Sequence, residues 1–224
     1  MKTFIRIVSG AVVLAAFILS MAHISKTVNT SLSLTPIVID AGHGGMDSGT
    51  VGKDGSMEKD INLDIALRLC DKFSAAGYPV YMTRTDDFKG QSWATYNKSA
   101  DMTKRVELIN SLEDAVVISV HQNSCEDASL SGAQVFYSTN NADGMRLAEC
   151  IRQSICEKLQ PGNSRQTKEG NDLSRILFEA TPPTVIVECG FMSNENELRK
   201  LKDEGYREGM AYAIFTGTQS FLKG

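Results

Sequence analysis

Two histidines and a glutamate stand where apolar segments stop, a second glutamate opens a helix, and together they suggest a hydrolytic metal centre. The 224-residue chain has only three histidines, and His23 lies at the edge of an apolar leader. His43 sits in Ile37-Val38-Ile39-Asp40-Ala41-Gly42-His43-Gly44-Gly45, where an apolar run breaks into a glycine loop. His121 follows a second apolar run, 115–120. A catalytic zinc site typically takes three protein ligands and keeps one position for water. His43 and His121 supply imidazoles for such a set. Glu58, 15 residues after His43 at the expected start of a helix, is well placed to supply a carboxylate.

Each residue also has an ordinary reading. A histidine after a strand often serves as a loop hydrogen-bonder. Glu58 as a first-turn acid would complement a helix dipole, with Ser56 as N-cap. Glu188 ends the apolar run Val185-Ile186-Val187. Burying it alone would be costly, so it either pairs with Arg84 or Arg175 or serves as a general base beside the metal. Asp40 is placed to orient a liganding imidazole through its second nitrogen. A phosphate cradle at 42–45 fails, because position 47 is Asp and no Lys-Ser/Thr follows. A Ser or Cys nucleophile would use up a histidine as base and leave Glu58 without a role.

The surrounding pattern supplies the scaffold. Strands are expected at 36–40, 79–82, 115–120, 134–137 and 184–187, and helices at 60–76, 101–112, 142–159 and 204–222, with a polar loop at 85–100. Continuous apolar strands alternating with amphipathic helices imply an α/β domain, its mostly parallel sheet covered by helices on both faces. Open sheets of this kind place their sites outside the carboxyl ends of the strands. His43, His121 and Glu188 would then share one rim.

Composition narrows the class. Apolar residues make up 42% of the chain, enough for a packed core. The net charge is −4, and removing the leader takes away Lys2 and Arg6 and no acid. An acidic body argues against a nucleic-acid partner. Lys2 and Arg6 precede an uncharged stretch, 7–22, with a small-x-small site at Ser20-Met21-Ala22. Residues 1–24 therefore read as a signal peptide or membrane anchor, 25–35 as a linker, and 36–224 as the catalytic domain. The basic end would stay cytoplasmic and the rest would be exported, to the outer face of the membrane or the cell wall. The five cysteines form no C-x-x-C pair and read mostly as small core hydrophobes.

Five ordered segments carry a resemblance. They are Ile37 to Gly45, Glu58-Lys59-Asp60-Ile61-Asn62-Leu63, Thr83-Arg84-Thr85-Asp86, Ser119-Val120-His121-Gln122-Asn123, and Val187-Glu188-Cys189-Gly190-Phe191-Met192-Ser193-Asn194. From about 36 to 222 the chain resembles the zinc-dependent N-acetylmuramoyl-L-alanine amidases of type 3. The resemblance implies His43, Glu58 and His121 as zinc ligands and Glu188 as catalytic acid/base. It implies peptidoglycan as substrate, cut between N-acetylmuramic acid and the L-alanine of the stem peptide. A short leader before a bare catalytic domain is similar to the germination-specific members of spore-forming bacteria. That subgroup implies spore-cortex maturation through muramic-δ-lactam and the space between the forespore membranes. Dependence on an accessory or activating protein to complete the zinc site is a separate open case. Two other readings stay open: a zinc peptidase cutting within the stem peptide, and a non-catalytic peptidoglycan-binding or regulatory protein.

Overall fold

Four parallel strands carry the site, and their order explains where it lies. A computed structural model describes residues 34–87, 96–112, 114–170 and 174–224. The expected leader and all but the end of the expected linker fall outside the described residues. The strands are β1 (Ile37–Ala41), β2 (Val80–Met82), β3 (Val116–Asn123), β4 (Gln134–Tyr137), β5 (Lys168–Glu169) and β6 (Thr184–Phe191). The helices are α1 (Glu58–Ala75), α2 (Lys98–Asn110), α3 (Gly144–Lys158), α4 (Arg175–Glu179), α5 (Glu195–Lys202) and α6 (Glu204–Leu222).

The sheet runs β2-β1-β3-β6-β4-β5. Pairing is parallel except between β4 and β6. The chain moves outward from β1 to β2 and then crosses to β3 on the other side of β1. That reversal opens a crevice beyond the carboxyl ends of β1 and β3, where open α/β sheets bind ligands.

Strand alternation divides the core. Ile37, Ile39, Val116, Ile118, Val185 and Val187 face the larger layer formed with α1, α3 and α6. Val38 and Val117 face a smaller cluster with Val106 and Ile109 of α2 and Ile176 of α4. Asp40, Ser119, His121 and Glu188 keep the phase of this second face. The sheet is thus covered on both faces, as its continuous apolar strands imply.

Several boundaries move. β3 and β6 run past the apolar residues, because ladder pairing continues through His121↔Glu188 and, after a register shift, to Asn123↔Phe191. His121 and Glu188 are therefore strand residues. α2 begins three residues earlier than expected, where the Asn97 side chain accepts from Ala100 N. β5, α4 and α5 had no usable periodicity. β5 and α4 are too short, and α5 is mostly charged and buries only Glu197, Leu198 and Leu201. Among the described residues no helix is long and apolar enough to cross a membrane. All five cysteines are free thiols. The core-hydrophobe reading holds for buried Cys189 and for Cys70 and Cys150 packed at the core edge, while Cys125 is exposed.

Candidate active site

The glycine loop after β1 presents His43 in a left-handed conformation, φ 61°. For a residue with a Cβ this costs roughly 1–2 kcal/mol and needs support from its surroundings. Two buried arginines give that support. Arg105 donates to Asp40 Oδ1 (2.8 Å), to the Ala41 carbonyl (2.9 Å) and to the His43 carbonyl (2.6 Å). Arg84 donates to the carbonyls of Ala41, Gly42, Lys59 and Asp86. The loop is fixed through its own backbone oxygens.

Glu58 reaches the loop because the first turn of α1 is sewn to it. The backbone N–H groups of Glu58 and Lys59 donate to the carbonyls of Thr50 and Ser48. Loop carbonyls thus satisfy donors that a side-chain cap would otherwise take. Ser56 is not the cap; Met57 occupies that position and makes no side-chain cap bond. Nor is Glu58 a solvated dipole partner, since it is 3% exposed. Its Oε1 lies 3.0 Å from His121 Nδ1 and 3.2 Å from His43 Nε2. Gln122 N and Asn62 Nδ2 donate to the same oxygen, and Thr50 N donates to Oε2.

The two imidazoles meet edge to face, with centroids 4.9 Å apart. Two glycines make this possible. A Cβ on Gly42 would lie 2.3 Å from the His121 ring, and one on Gly49 would lie 2.6 Å from Glu58 Oε2 and 2.7 Å from His43. His43, Glu58 and His121 each offer a ligand atom, all within 4.8 Å of one another. Two imidazoles and one carboxylate around a shared point fit a divalent cation. The electrostatics agree. Burial alone would lower the His43 pKa, but its bonds to Asp47 and Glu58 overcome this and raise it to about 9. Burial works against an ionised Glu58 too, yet the two histidines hold its pKa far below the ordinary range. The carboxylates create a field that favours a cation at this point.

Asp40 does not orient an imidazole. Its oxygens take Thr83 Oγ1, Arg105 Nη1 and Ser119 Oγ. The residue in that role is Asp47, whose Oδ2 lies 3.0 Å from His43 Nδ1. Asp47 stands four residues after His43 in the same loop, the one signal that could have singled it out. Asn62, Gln122 and Arg105 also escaped sequence reasoning as site supports, and Arg84 was expected at Glu188 rather than on the loop carbonyls. A charged or amide residue in the buried phase of a helix was the available sign for Asn62 and Arg105.

Glu188 stands beside His121 on the next strand. Neither Arg84 nor Arg175 pairs with it: Arg84 is spent on carbonyls, and Arg175 binds Glu179. Its Oε2 is buried and has no hydrogen-bond partner. Burial raises its pKa to about 7; Glu58 adds to the rise, and His121 and His43 oppose it. A carboxyl poised near neutrality can both take and return a proton. The cleft above these residues has a volume of about 530 Å³, and Lys98 and Arg175 line it as well. Two roomier surface concavities, one around residues 129–132 and 159–165 and one around 114–116 and 181–183, contain none of the four residues.

Residues 37–220 match the N-acetylmuramoyl-L-alanine amidase family, Amidase_3. The chain belongs to this family. The amidase is similar to the germination-specific N-acetylmuramoyl-L-alanine amidase of Bacillus subtilis, 33% identical over 81% of this chain and 77% of that protein. It is 31% identical to the amidase LytC of the same organism over 84% of its own length, though it spans only 35% of LytC. Among solved structures it resembles the CwlD amidase of Clostridioides difficile in complex with the GerS lipoprotein. That match has TM-score 0.77 and 34% identity, over 84% of this chain and 98% of that one. The amidase is a peptidoglycan hydrolase that acts outside the cytoplasm, on the amide between N-acetylmuramic acid and L-alanine.

Proposed function

We propose that His43, Glu58 and His121 hold one zinc ion and that Glu188 is the proton carrier for amide hydrolysis. The observation that carries this reading is the buried, unpartnered Oε2 of Glu188 beside a preassembled His/Glu/His set. Zinc bound there would polarise the scissile carbonyl and make a water acidic enough to attack at neutral pH. Glu188 takes the proton of the attacking water at its free oxygen. It then returns that proton to the leaving alanine nitrogen, which departs as an amine. Asp47 holds His43 with its Nε2 toward the cluster, and Arg84 and Arg105 keep the loop from relaxing.

The biological setting follows the relatives. Similarity to a germination-specific amidase supports a role in maturing the spore cortex. Stem peptides would be removed there so that muramic-δ-lactam can form. Residues 1–24 would export the catalytic domain as a cleaved signal or a retained anchor, into the space between the forespore membranes. A relative solved with a lipoprotein supports an accessory protein for this amidase as well.

The test pairs metal analysis with product analysis. The purified protein should carry one zinc per chain and release intact stem peptides from peptidoglycan. His121→Ala should lose both zinc and turnover. Shortened peptides would instead mean a peptidase, and full zinc retention in the variant would remove His121 from the ligand set.

A further inference from the structure

The cleft is lined by charges of both signs. Asp47, Glu58 and Glu188 line it together with Lys98 and Arg175. Arg175 is already engaged. Its Nε and Nη2 bind Glu179 at 2.6 and 2.9 Å, and its Nη1 lies 3.4 Å from the Ser99 carbonyl and 3.3 Å from Thr103 Oγ1. It ties α4 to the residue next to Lys98, with its charge balanced. Lys98 differs. Its side chain is 66% exposed, and its ammonium lies 3.0 Å from Asp47 Oδ2. An ammonium carries three donors, and Asp47 needs one of them. The nearby Asp40 and Asp101 are bound to Arg105.

The substrate is charged on only one side of its scissile bond. The acyl side is a neutral N-acetyl sugar with its lactyl group. The amine side is a peptide whose nearest free carboxylate is the α-carboxylate of the γ-linked D-glutamate after L-alanine. Two 3.0 Å contacts and one imidazole ring separate the Lys98 ammonium from the ligand cluster. Two extended residues span roughly 7 Å, so that carboxylate can reach Lys98 while the amide sits at the cluster.

We propose that Lys98 binds the α-carboxylate of the second stem residue and so sets the direction of the substrate. The peptide arm runs along the wall made by α2 and α4, and the glycan lies on the opposite side of the cleft. This deepens the amidase reading and rests on it. It also gives the enzyme a means to discriminate a free α-carboxyl from an amidated one, a variation in charge at constant shape.

The test uses two muramoyl tripeptides that differ only at that position, carboxylate in one and carboxamide in the other. Metal-loaded protein should favour the carboxylate by about fivefold in kcat/KM, chiefly through KM, the scale of one exposed ion pair. Lys98→Met should lose the preference with zinc content unchanged, and Lys98→Arg should keep it. Equal cleavage of both substrates by the unmodified protein overturns this inference alone. So does a Lys98→Met loss that is equal on both, because it would assign Lys98 only to holding Asp47. Cleavage of neither by zinc-loaded protein overturns the reading of the reaction together with this inference.

Discussion

His121 and Glu188 are register partners on the adjacent parallel strands β3 and β6. Partners in a ladder project from the same face of a sheet. The imidazole proposed to complete the ligand set and the carboxyl proposed to carry the proton are therefore placed by backbone hydrogen bonds. They depend less on loop conformation than His43 does. One slip of register would turn either residue toward the opposite core.

The first prediction concerns Glu188→Gln. The amide keeps the shape and removes the ionisable group, so zinc content should stay near one per chain. Turnover should fall by about 10²-fold or more, the usual worth of a positioned general base. Thermal stability should rise, because a buried carboxyl without a hydrogen-bond partner on Oε2 is replaced by a neutral group. Metal analysis, steady-state rates and a melting curve on one preparation check all three. Loss of zinc would assign Glu188 to the ligand set.

Asp47 and Asp40 should separate cleanly. Asp47→Asn weakens the bond that fixes His43 Nδ1. Zinc affinity should drop by about 10- to 100-fold with little change in melting temperature. Asp40→Asn leaves Arg105 short of a buried anion. Stability should fall by about 3 kcal/mol, with the larger effect on folding. Competition with a chelator and denaturant titration distinguish the two.

Gly42→Ala tests close packing at the ligand set. Its Cβ would intrude to 2.3 Å from the His121 ring, so the ring must turn away. Overpacking of this kind costs about 1–3 kcal/mol. The fold should survive while zinc binding is lost. Circular dichroism matching the unmodified protein, alongside absent zinc, is the expected result.

Acid stability should report on Asp40. Full burial opposes its ionised form, but the Arg105 charge, His121 and bonds from Ser119 and Thr83 more than compensate and bring its pKa to about 2. A carboxyl with a folded pKa below its unfolded value stabilises the protein above the unfolded pKa. That stability is lost as pH falls through the folded value. Unfolding free energy should therefore decline between about pH 4 and pH 2, by roughly 2 kcal/mol from this group. Asp40→Asn should flatten that part of the profile. An unchanged slope in the variant would assign the acid transition to other carboxylates.

Local chemistry made much of this protein readable in one dimension. Continuous apolar strands dictated a buried, mostly parallel sheet, and apolar runs ending at His43, His121 and Glu188 put three polar groups on its carboxyl rim. Scarcity of histidine narrowed the candidate ligands further. Other features depend on what lies across space. Asp47 rather than Asp40 supports His43, because Asp40 faces Arg105 on a helix 65 residues away, a partner no local spacing reveals. The same holds for the start of α1, where Ser48 and Thr50 carbonyls replace the expected Ser56 cap. The ladder that continues through His121 and Glu188 likewise forms only when the two strands meet. Periodicity follows from each residue's own burial, so sequence carries it. The identity of a buried charge's partner follows from packing, and only the tertiary structure decides it.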